Sequence, residues 1–147
     1  MGVNNVTGSV FSNGNISVFV PDGWQHFAGA DSEGRETPDK LLVYKNVISP
    51  LDIFCKAGIT VWVTRKDKIY ISPRFFYSDT KDIEPFKLGA YTWSGYTCKS
   101  LGFPYLMLES QAEVGVLQVM ILLENGENKI DFEDADVQAI IKSIDVQ

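Results

Sequence analysis

Apolar and polar side chains alternate with a period of two residues over most of the chain before residue 124. The pattern is clearest at Ile16, Val18 and Val20, and it returns around Val61. Because successive side chains of a β-strand point to opposite faces of a sheet, each run predicts a strand with one buried face. Further strand-like runs cover residues 41–47, 69–71, 90–98, 103–110 and 114–123. The sequence therefore predicts a protein built mainly from β-sheet.

Two segments near the C-terminus depart from simple alternation. The run from Val114 to Leu123 is apolar at nearly every position, with Gln118 as its polar exception. Such runs are typical of a central strand covered on both faces. After residue 131 the period changes, because four apolar residues recur at i, i+3, i+4 and i+7, the stripe of an amphipathic helix. These residues are Val137, Ile140, Ile141 and Ile144.

The 147 residues suit one domain with one core, which we place over residues 1–147. We predict an α+β fold with a mainly antiparallel sheet of about six or seven strands and the C-terminal helix packed on one face. A β-sandwich is the alternative. Two segments lack a strand pattern: residues 28–40 predict a long surface loop, and residues 79–83 predict a single helical turn before Pro85.

The charge balance narrows the classes of partner. Thirteen Lys and Arg against nineteen Asp and Glu give a net charge of -6, which repels nucleic acid and anionic membrane surfaces. No stretch approaches the roughly 18 consecutive apolar residues of a membrane-spanning helix. Residues 1–9 lack the basic and apolar regions of a signal peptide. That pattern fits a cytoplasmic protein and also an exported domain whose leader has been removed.

The sequence contains none of the common catalytic motifs, and we predict no catalytic residue, no metal and no cofactor. His26 is the single histidine, and a structural or exposed histidine is the favoured interpretation over catalysis. The acidic group before the C-terminal helix predicts a helix start and not a Ca²⁺ site, because its spacing does not match an EF-hand loop. That group is Asp131, Glu133, Asp134 and Asp136. The loop carboxylates offered for acid/base chemistry are Asp22, Glu33, Glu36, Asp79, Asp82 and Glu84.

The two cysteines, Cys55 and Cys98, belong to no C-x-x-C pair, which excludes a zinc ribbon or a thioredoxin-like site. One disulfide and two reduced thiols are both open. Two buried thiols are the favoured interpretation, because Cys55 follows Ile53 and Phe54 in an apolar run.

Trp62 and Tyr96 are the candidate ligand-binding residues. On the alternation pattern each lies on the more polar face of its strand, among Thr and Ser. A shallow groove there would let the rings stack on a sugar, a peptide or another flat ligand. The alternative is that a helix or loop covers this face and buries both rings. The other aromatic residues, among them Trp24, Tyr91 and Trp93, are assigned to packing.

Three regions of the sequence resemble uncharacterised lipoproteins of Gram-positive gut bacteria. They are residues 20–24, residues 83–97 and residues 134–144. Those lipoproteins are in turn distantly similar to the PsbP-like fold of an extrinsic photosystem subunit, a nuclear Ran-binding protein and mycobacterial lipoproteins. The resemblance implies an antiparallel sheet flanked by helices and a role in binding or assembly. It also implies that the protein lies at the extracellular face of the cell membrane or is secreted, whereas the sequence alone leaves a cytoplasmic location open.

We therefore expect a non-enzymatic module of the cell envelope that binds a protein or a small ligand. Nucleic acid is not expected, and a membrane is expected only through a lipid anchor that this chain does not contain. The first alternative is a carbohydrate-active hydrolase that uses two loop carboxylates facing each other near Trp62 or Tyr96. The second is a structural domain of a larger assembly, which predicts an exposed apolar patch and self-association.

Overall fold

Twelve strands and one α-helix make up the computed structural model, which describes residues 6–147. Residues 1–5 lie outside the described residues. They belong to the predicted domain and to the N-terminal segment that lacks the features of a signal peptide. In chain order the strands are β1 (Gly8–Ser12), β2 (Ile16–Pro21), β3 (Trp24–Ala30), β4 (Glu36–Lys45), β5 (Gly58–Arg65), β6 (Ser78–Leu88), β7 (Tyr91–Ser100), β8 (Phe103–Ala112), β9 (Gly115–Leu122), β10 (Glu124–Asn125), β11 (Asn128–Lys129) and β12 (Asp145–Val146). The helix α1 spans Ala135–Ser143, and two 3-10 turns span Pro50–Cys55 and Pro73–Phe76.

Seven strands form one antiparallel sheet in the order β3-β4-β5-β9-β8-β7-β6. The apolar strand β9 lies at its centre, as its sequence predicts. We call the face that carries the main core the first face and the opposite face the second face. The first face contributes buried side chains from the central strands, including Leu41, Val61, Trp93, Leu108 and Val119.

A second layer covers the first face. It consists of α1 and a three-stranded sheet in the order β1-β2-β12. The four residues of the predicted helical stripe are all buried against the sheet. The mainly antiparallel α+β fold is therefore confirmed, and the helix in the covering layer distinguishes it from a β-sandwich.

Polar contacts fix the covering layer to the sheet. The indole Nε1 of Trp24 donates to the Asp136 carboxylate on α1 at 3.0 Å, and the Lys45 ammonium lies 3.2 Å from the same carboxylate. Burial raises the pKa of Asp136, but these two partners outweigh it and hold the pKa below its usual value. At the other end of α1 the backbone N–H of Phe19 donates to the Ser143 hydroxyl at 2.7 Å.

The prediction of a long loop over residues 28–40 is wrong. Strand β3 continues to Ala30 and β4 begins at Glu36, so only a short turn joins them. The Asp31 carboxylate closes this turn by accepting from the backbone N–H groups of Glu33 and Arg35, and Gly34 adopts φ +81° there. Backbone pairing with β4 holds these polar residues in a strand despite their composition.

The predicted helical turn at residues 79–83 is also wrong, because these residues belong to the edge strand β6. Its pairing with β7 is interrupted between Ile83 and Phe86, next to Pro85. A bulge on an edge strand accommodates a proline, which cannot donate to the ladder. The predicted strand at residues 69–71 forms no strand either; these residues lie in the connection between β5 and β6.

The two cysteines do not form a disulfide, and only one of them fits the prediction of two buried thiols. Cys98 is buried on β7, and burial raises the pKa of its thiol. Cys55 is exposed, because it ends the first 3-10 turn, a surface connection between β4 and β5.

Candidate binding face

The second face of the seven-stranded sheet carries both predicted ligand-binding residues. Strand register aligns its side chains in rows that run across the strands. One row contains Lys40, Trp62, Gln118, Glu109 and Ser94. The next row contains Leu42, Thr60, Met120, Met107 and Tyr96. The alternation argument that put Trp62 and Tyr96 on one face thus agrees with the register.

Trp62 is an accessible aromatic ring on the broad part of this face, and Phe103 at the start of β8 is the other. Its side chain is 39% exposed, although the residues on either side of it in β5 are buried in the first face. The Lys40 ammonium lies 5.0 Å from the centroid of the indole, within the range of a cation–π contact. Burial lowers the pKa of Lys40. The ring therefore has a cation beside it, Gln118 as its cross-strand neighbour on β9, and 39% of its surface open to solvent.

A crossover segment, which we call the strap (residues 66–77), covers another part of the second face. It leaves β5 at one end of the sheet and joins β6 at the other, so it passes over β9, β8 and β7. The hydroxyl of Tyr70 donates to the Glu109 carboxylate on β8 at 2.5 Å. Burial, and then this bond to a carboxylate, raise the pKa of Tyr70. Farther along, Tyr77 packs in a small cluster with Cys98 and Tyr105.

Tyr96 lies beneath the strap. It is only 7% exposed, and the Arg74 guanidinium stands 4.7 Å from its ring centroid. Burial, with smaller contributions from Cys98 and Tyr77, raises the pKa of its phenol to about 12. Three strand spacings of about 4.8 Å separate β5 from β7, or roughly 14 Å. The structure thus leaves Trp62 accessible, encloses Tyr96, and does not bring the two rings together.

Two carboxylates share a cleft of about 440 Å³ beside Tyr96. Asp82 lies on β6 and Glu109 on β8, with β7 between them. Each carboxylate already accepts a hydrogen bond from the strap, Asp82 from Arg74 and Glu109 from Tyr70. The strap therefore uses both groups to hold its own position across the sheet.

The other candidates from the sequence lie away from this face. His26 is exposed, and its ring stacks on Phe11 of β1 with 3.6 Å between centroids. Asp22 accepts from the Thr7 hydroxyl at 2.6 Å, and Glu33 pairs with Arg35 in the β3–β4 turn. These contacts are local and do not assemble a cluster of catalytic groups.

The acidic group at the start of α1 has structural partners. Asp134 is the N-cap residue, and its carboxylate accepts from the backbone N–H of Asp131 at 2.9 Å, while Asp136 binds Trp24 and Lys45. Within residues 6–147 there is no group of three or more His, Cys, Asp or Glu side chains placed to hold a metal ion. None of the helices in that range is both long and apolar enough to cross a bilayer.

Sequence reasoning missed the strap and its anchor Arg74. The strap has no regular period, so nothing local indicates that it crosses a sheet. A signal was present in its apolar residues, which sit in a segment too polar and irregular to be core. They are Ile69, Ile71, Phe75 and Phe76, and all four are exposed.

Comparison with known proteins finds a similar fold and no related sequence family. No protein-family model matches the sequence, and a search of curated proteins found no match. A crystal structure of a protein from Bacteroides thetaiotaomicron at 1.50 Å resolution is similar, with a TM-score of 0.51 and 11% sequence identity. The similarity covers 95% of this chain and 48% of the other, so this chain spans about half of that protein. At this identity the likeness shows the fold alone.

Proposed function

We propose that the protein is a non-enzymatic binding module whose ligand lies against Trp62 on the second face. One observation carries the proposal: Trp62 is 39% exposed on the broad face of the sheet, whereas Trp24 and Trp93 are 5% and 0% exposed in the core. Exposing a large aromatic ring to water forgoes the free energy of burying it. A ring that is held in place and left open is suited to stacking on a ligand.

The neighbours of Trp62 indicate the class of ligand. Its row places the Lys40 ammonium beside the ring, while the Gln118 amide is buried and the Glu109 carboxylate is bonded to Tyr70 of the strap. A flat ring flanked by hydrogen-bonding groups suits an oligosaccharide, which presents apolar C–H faces and hydroxyl edges. The strap crosses this row at Glu109, so the part of the row from Lys40 to Gln118 crosses two strand spacings, or roughly 10 Å. One or two sugar units fit that length.

The cellular location that we propose rests on the sequence resemblance to the envelope lipoproteins. We propose a relationship to the PsbP-like fold and to the envelope lipoproteins described above, and with it a location at the outer face of the membrane or in the medium. An antiparallel sheet with a C-terminal helix is compatible with that relationship. Fold analogy is a weak guide to function, so the ligand proposal rests on Trp62.

Fluorescence titration tests the proposal directly. Because Trp62 is the exposed tryptophan, oligosaccharide fragments of peptidoglycan and of plant glucans that stack on it should shift the emission of the folded protein. We expect Trp62→Ala to lose the shift and Val10→Ala, an exposed position on β1, to retain it. Saturable binding that survives in Trp62→Ala would place the ligand elsewhere. The absence of binding to any fragment in the panel would refute the oligosaccharide class.

A carbohydrate-active hydrolase is the second candidate, because Asp82 and Glu109 line one cleft beside Tyr96. It requires the strap to release both carboxylates. Hydrolysis of a bound fragment that is abolished by Asp82→Asn and by Glu109→Gln would favour this candidate. Binding without turnover would favour the binding module.

A further inference from the structure

Four aromatic side chains surround a small cavity at one end of the second face. Two of them, Phe103 and Tyr105, come from β8, and Tyr44 comes from β4. The fourth is Phe54 of the first 3-10 turn. The cavity has a volume of about 230 Å³, and we call it the aromatic pocket.

Strand register and one glycine shape the aromatic pocket. Tyr44 pairs with Gly58 on β5, and Gly58 pairs with Leu122 on β9, which pairs in turn with Tyr105. A Cβ at Gly58 would lie 2.3 Å from Cγ of Tyr44, so the Tyr44 ring lies across β5 only because that residue is glycine. Leu122, 7% exposed, lies between the two tyrosines. Gly58 is four residues from Trp62 along β5, or roughly 14 Å, so the pocket is separate from the proposed ligand site.

Hydrogen bonds hold the turn that carries Phe54. The side-chain amide of Asn125 donates to the Phe54 carbonyl at 3.0 Å, and that of Asn128 donates to the Cys55 carbonyl at 2.7 Å. These bonds fasten the turn to the β10–β11 hairpin. Phe54 is nevertheless 75% exposed and Phe103 40% exposed. Both rings therefore have apolar surface that a ligand could remove from water, which would stabilise the complex.

The four rings leave space between them. Three pairs of rings stack or meet edge-on within residues 6–147, and none of these pairs includes a ring of the aromatic pocket. Contact between aromatic rings is favourable beyond the area that it buries, and here that contact is available to a ring from outside. An apolar cavity of roughly 150 Å³ holds benzene. A pocket of about 230 Å³ therefore suits one ring or two fused rings.

The lining of the pocket favours an uncharged ligand. None of the described residues that line it is charged. Burial raises the pKa of Tyr44 and of Tyr105, so both phenols are neutral at neutral pH. These phenols and the amide oxygen of Asn125 can bond to a polar group at the edge of a ring. The charged residues of the turn and of the hairpin carry both signs and lie outside the lining; they are Asp52, Lys56, Glu124, Glu127 and Lys129.

We propose that the aromatic pocket binds a flat, uncharged aromatic ring. A sugar fits this pocket less well, because it carries hydroxyls around its whole edge and a buried hydroxyl without a partner costs free energy. The pocket offers polar atoms from only three of its described side chains, Tyr44, Tyr105 and Asn125. The ring can belong to a small molecule or to a side chain of a peptide, since both present the same chemistry.

An NMR titration of the full chain tests the proposal. The probes are indole and phenol, and cyclohexanol is the matched control because it keeps the size and hydroxyl of phenol without the aromatic ring. We expect indole and phenol to shift the amide resonances of Gly58 and Leu122 in a saturable way. Phenol should bind a few-fold more tightly than cyclohexanol, as an aromatic contact provides. The indole N–H resonance of Trp62 should stay in place, because that ring is roughly 14 Å away.

Two double variants test which rings form the site. Phe54→Ala/Phe103→Ala removes the two exposed rings of the pocket, and Phe75→Ala/Phe76→Ala removes two exposed rings of the strap as the matched control. We expect the first pair to bind indole about tenfold more weakly, because each aromatic contact contributes a few-fold. The control pair should bind indole like the unchanged chain. Circular dichroism should be the same for both, because the substituted side chains are exposed.

Further probes identify the source of the ring and the outcomes that contradict the site. Tighter binding of the tripeptide Gly-Trp-Gly than of indole would support a peptide side chain as the ligand, and weaker binding would support a small molecule. No shift at Gly58 with indole, equal binding by the two double variants, or equal affinity for phenol and cyclohexanol would overturn the proposal. Tighter binding of tetramethylammonium than of phenol would also overturn it, in favour of a cation site. None of these outcomes bears on oligosaccharide binding at Trp62.

Discussion

The two faces of the seven-stranded sheet are covered by very different parts of the same chain. The first face meets a layer of α1, β1, β2 and β12, which buries the side chains of its central strands. The second face meets a twelve-residue strap whose regular structure is one 3-10 turn, anchored mainly through polar contacts. Packing on the first face provides stability, while partial cover on the second leaves surface for binding. Three changes test this comparison.

Removing a core ring from the first face should have the largest effect. Trp93 is fully buried and donates from its indole to the Leu88 carbonyl at 3.2 Å. We expect Trp93→Ala to lower the free energy of unfolding by about 3–5 kcal/mol, as large-to-small core changes do. Trp62→Ala on the second face should cost about 1 kcal/mol or less, since surface changes are small. Urea denaturation measures both, and similar losses would contradict the division between the faces.

A smaller effect is expected at the polar contact between the covering layer and the sheet. Asp136→Ala removes the acceptor of the Trp24 indole and the partner of Lys45. Leaving a nearly buried donor unpaired costs about 1–3 kcal/mol. Asp136→Asn, which keeps an acceptor at the same place, is the matched control and should lose less.

The same carboxylate should make stability depend on pH in the acid range. Its pKa is lower in the folded protein than in the unfolded chain, so its contribution is complete above the unfolded value of about 3.9. The contribution is lost as the pH falls through the folded pKa. The difference in melting temperature between the unchanged chain and Asp136→Asn should therefore shrink below about pH 4. A constant difference down to pH 2 would show that Asp136 does not act through its charge.

The smallest effect should come from the strap. Tyr70→Phe keeps the ring and removes the hydroxyl that binds Glu109, at a cost of about 1 kcal/mol. Hydrogen exchange should accelerate at the amides of residues 66–77 and stay unchanged in β9, because the strap is a separate surface segment. Tyr105→Phe, on the same face outside the strap, is the control. Uniform acceleration over the whole sheet would mean that the strap is part of the core.

Periodicity predicted the elements whose side chains divide clearly between core and solvent. The central strand β9 and the stripe Val137, Ile140, Ile141 and Ile144 are examples, because burial alone sets their sequence. It failed for β6 and for the β3–β4 hairpin, where exposed polar residues form strands through backbone pairing. It also placed Cys55 in the core, because an apolar neighbour such as Phe54 does not show whether a connection is packed.

The sequence predicted on which face of its strand each candidate site residue lies, but not what covers that face. Alternation placed Trp62 and Tyr96 on the polar side of their strands, which the register reproduces. It carried no information on the strap, since the position of a crossover depends on the order of the strands in the sheet. That order determines that Arg74 covers Tyr96 and that Trp62 stays open.

The pairing of β2 with β12 has a consequence for the order of folding. Ser17 pairs with Asp145 and Ile16 with Val146, so the covering layer closes only when residues far apart in the sequence meet. Such distant contacts form slowly, because the chain loses the entropy of loop closure before they stabilise it. Until they form, the apolar first face is open to water, and the sheet that awaits its cover is prone to aggregate.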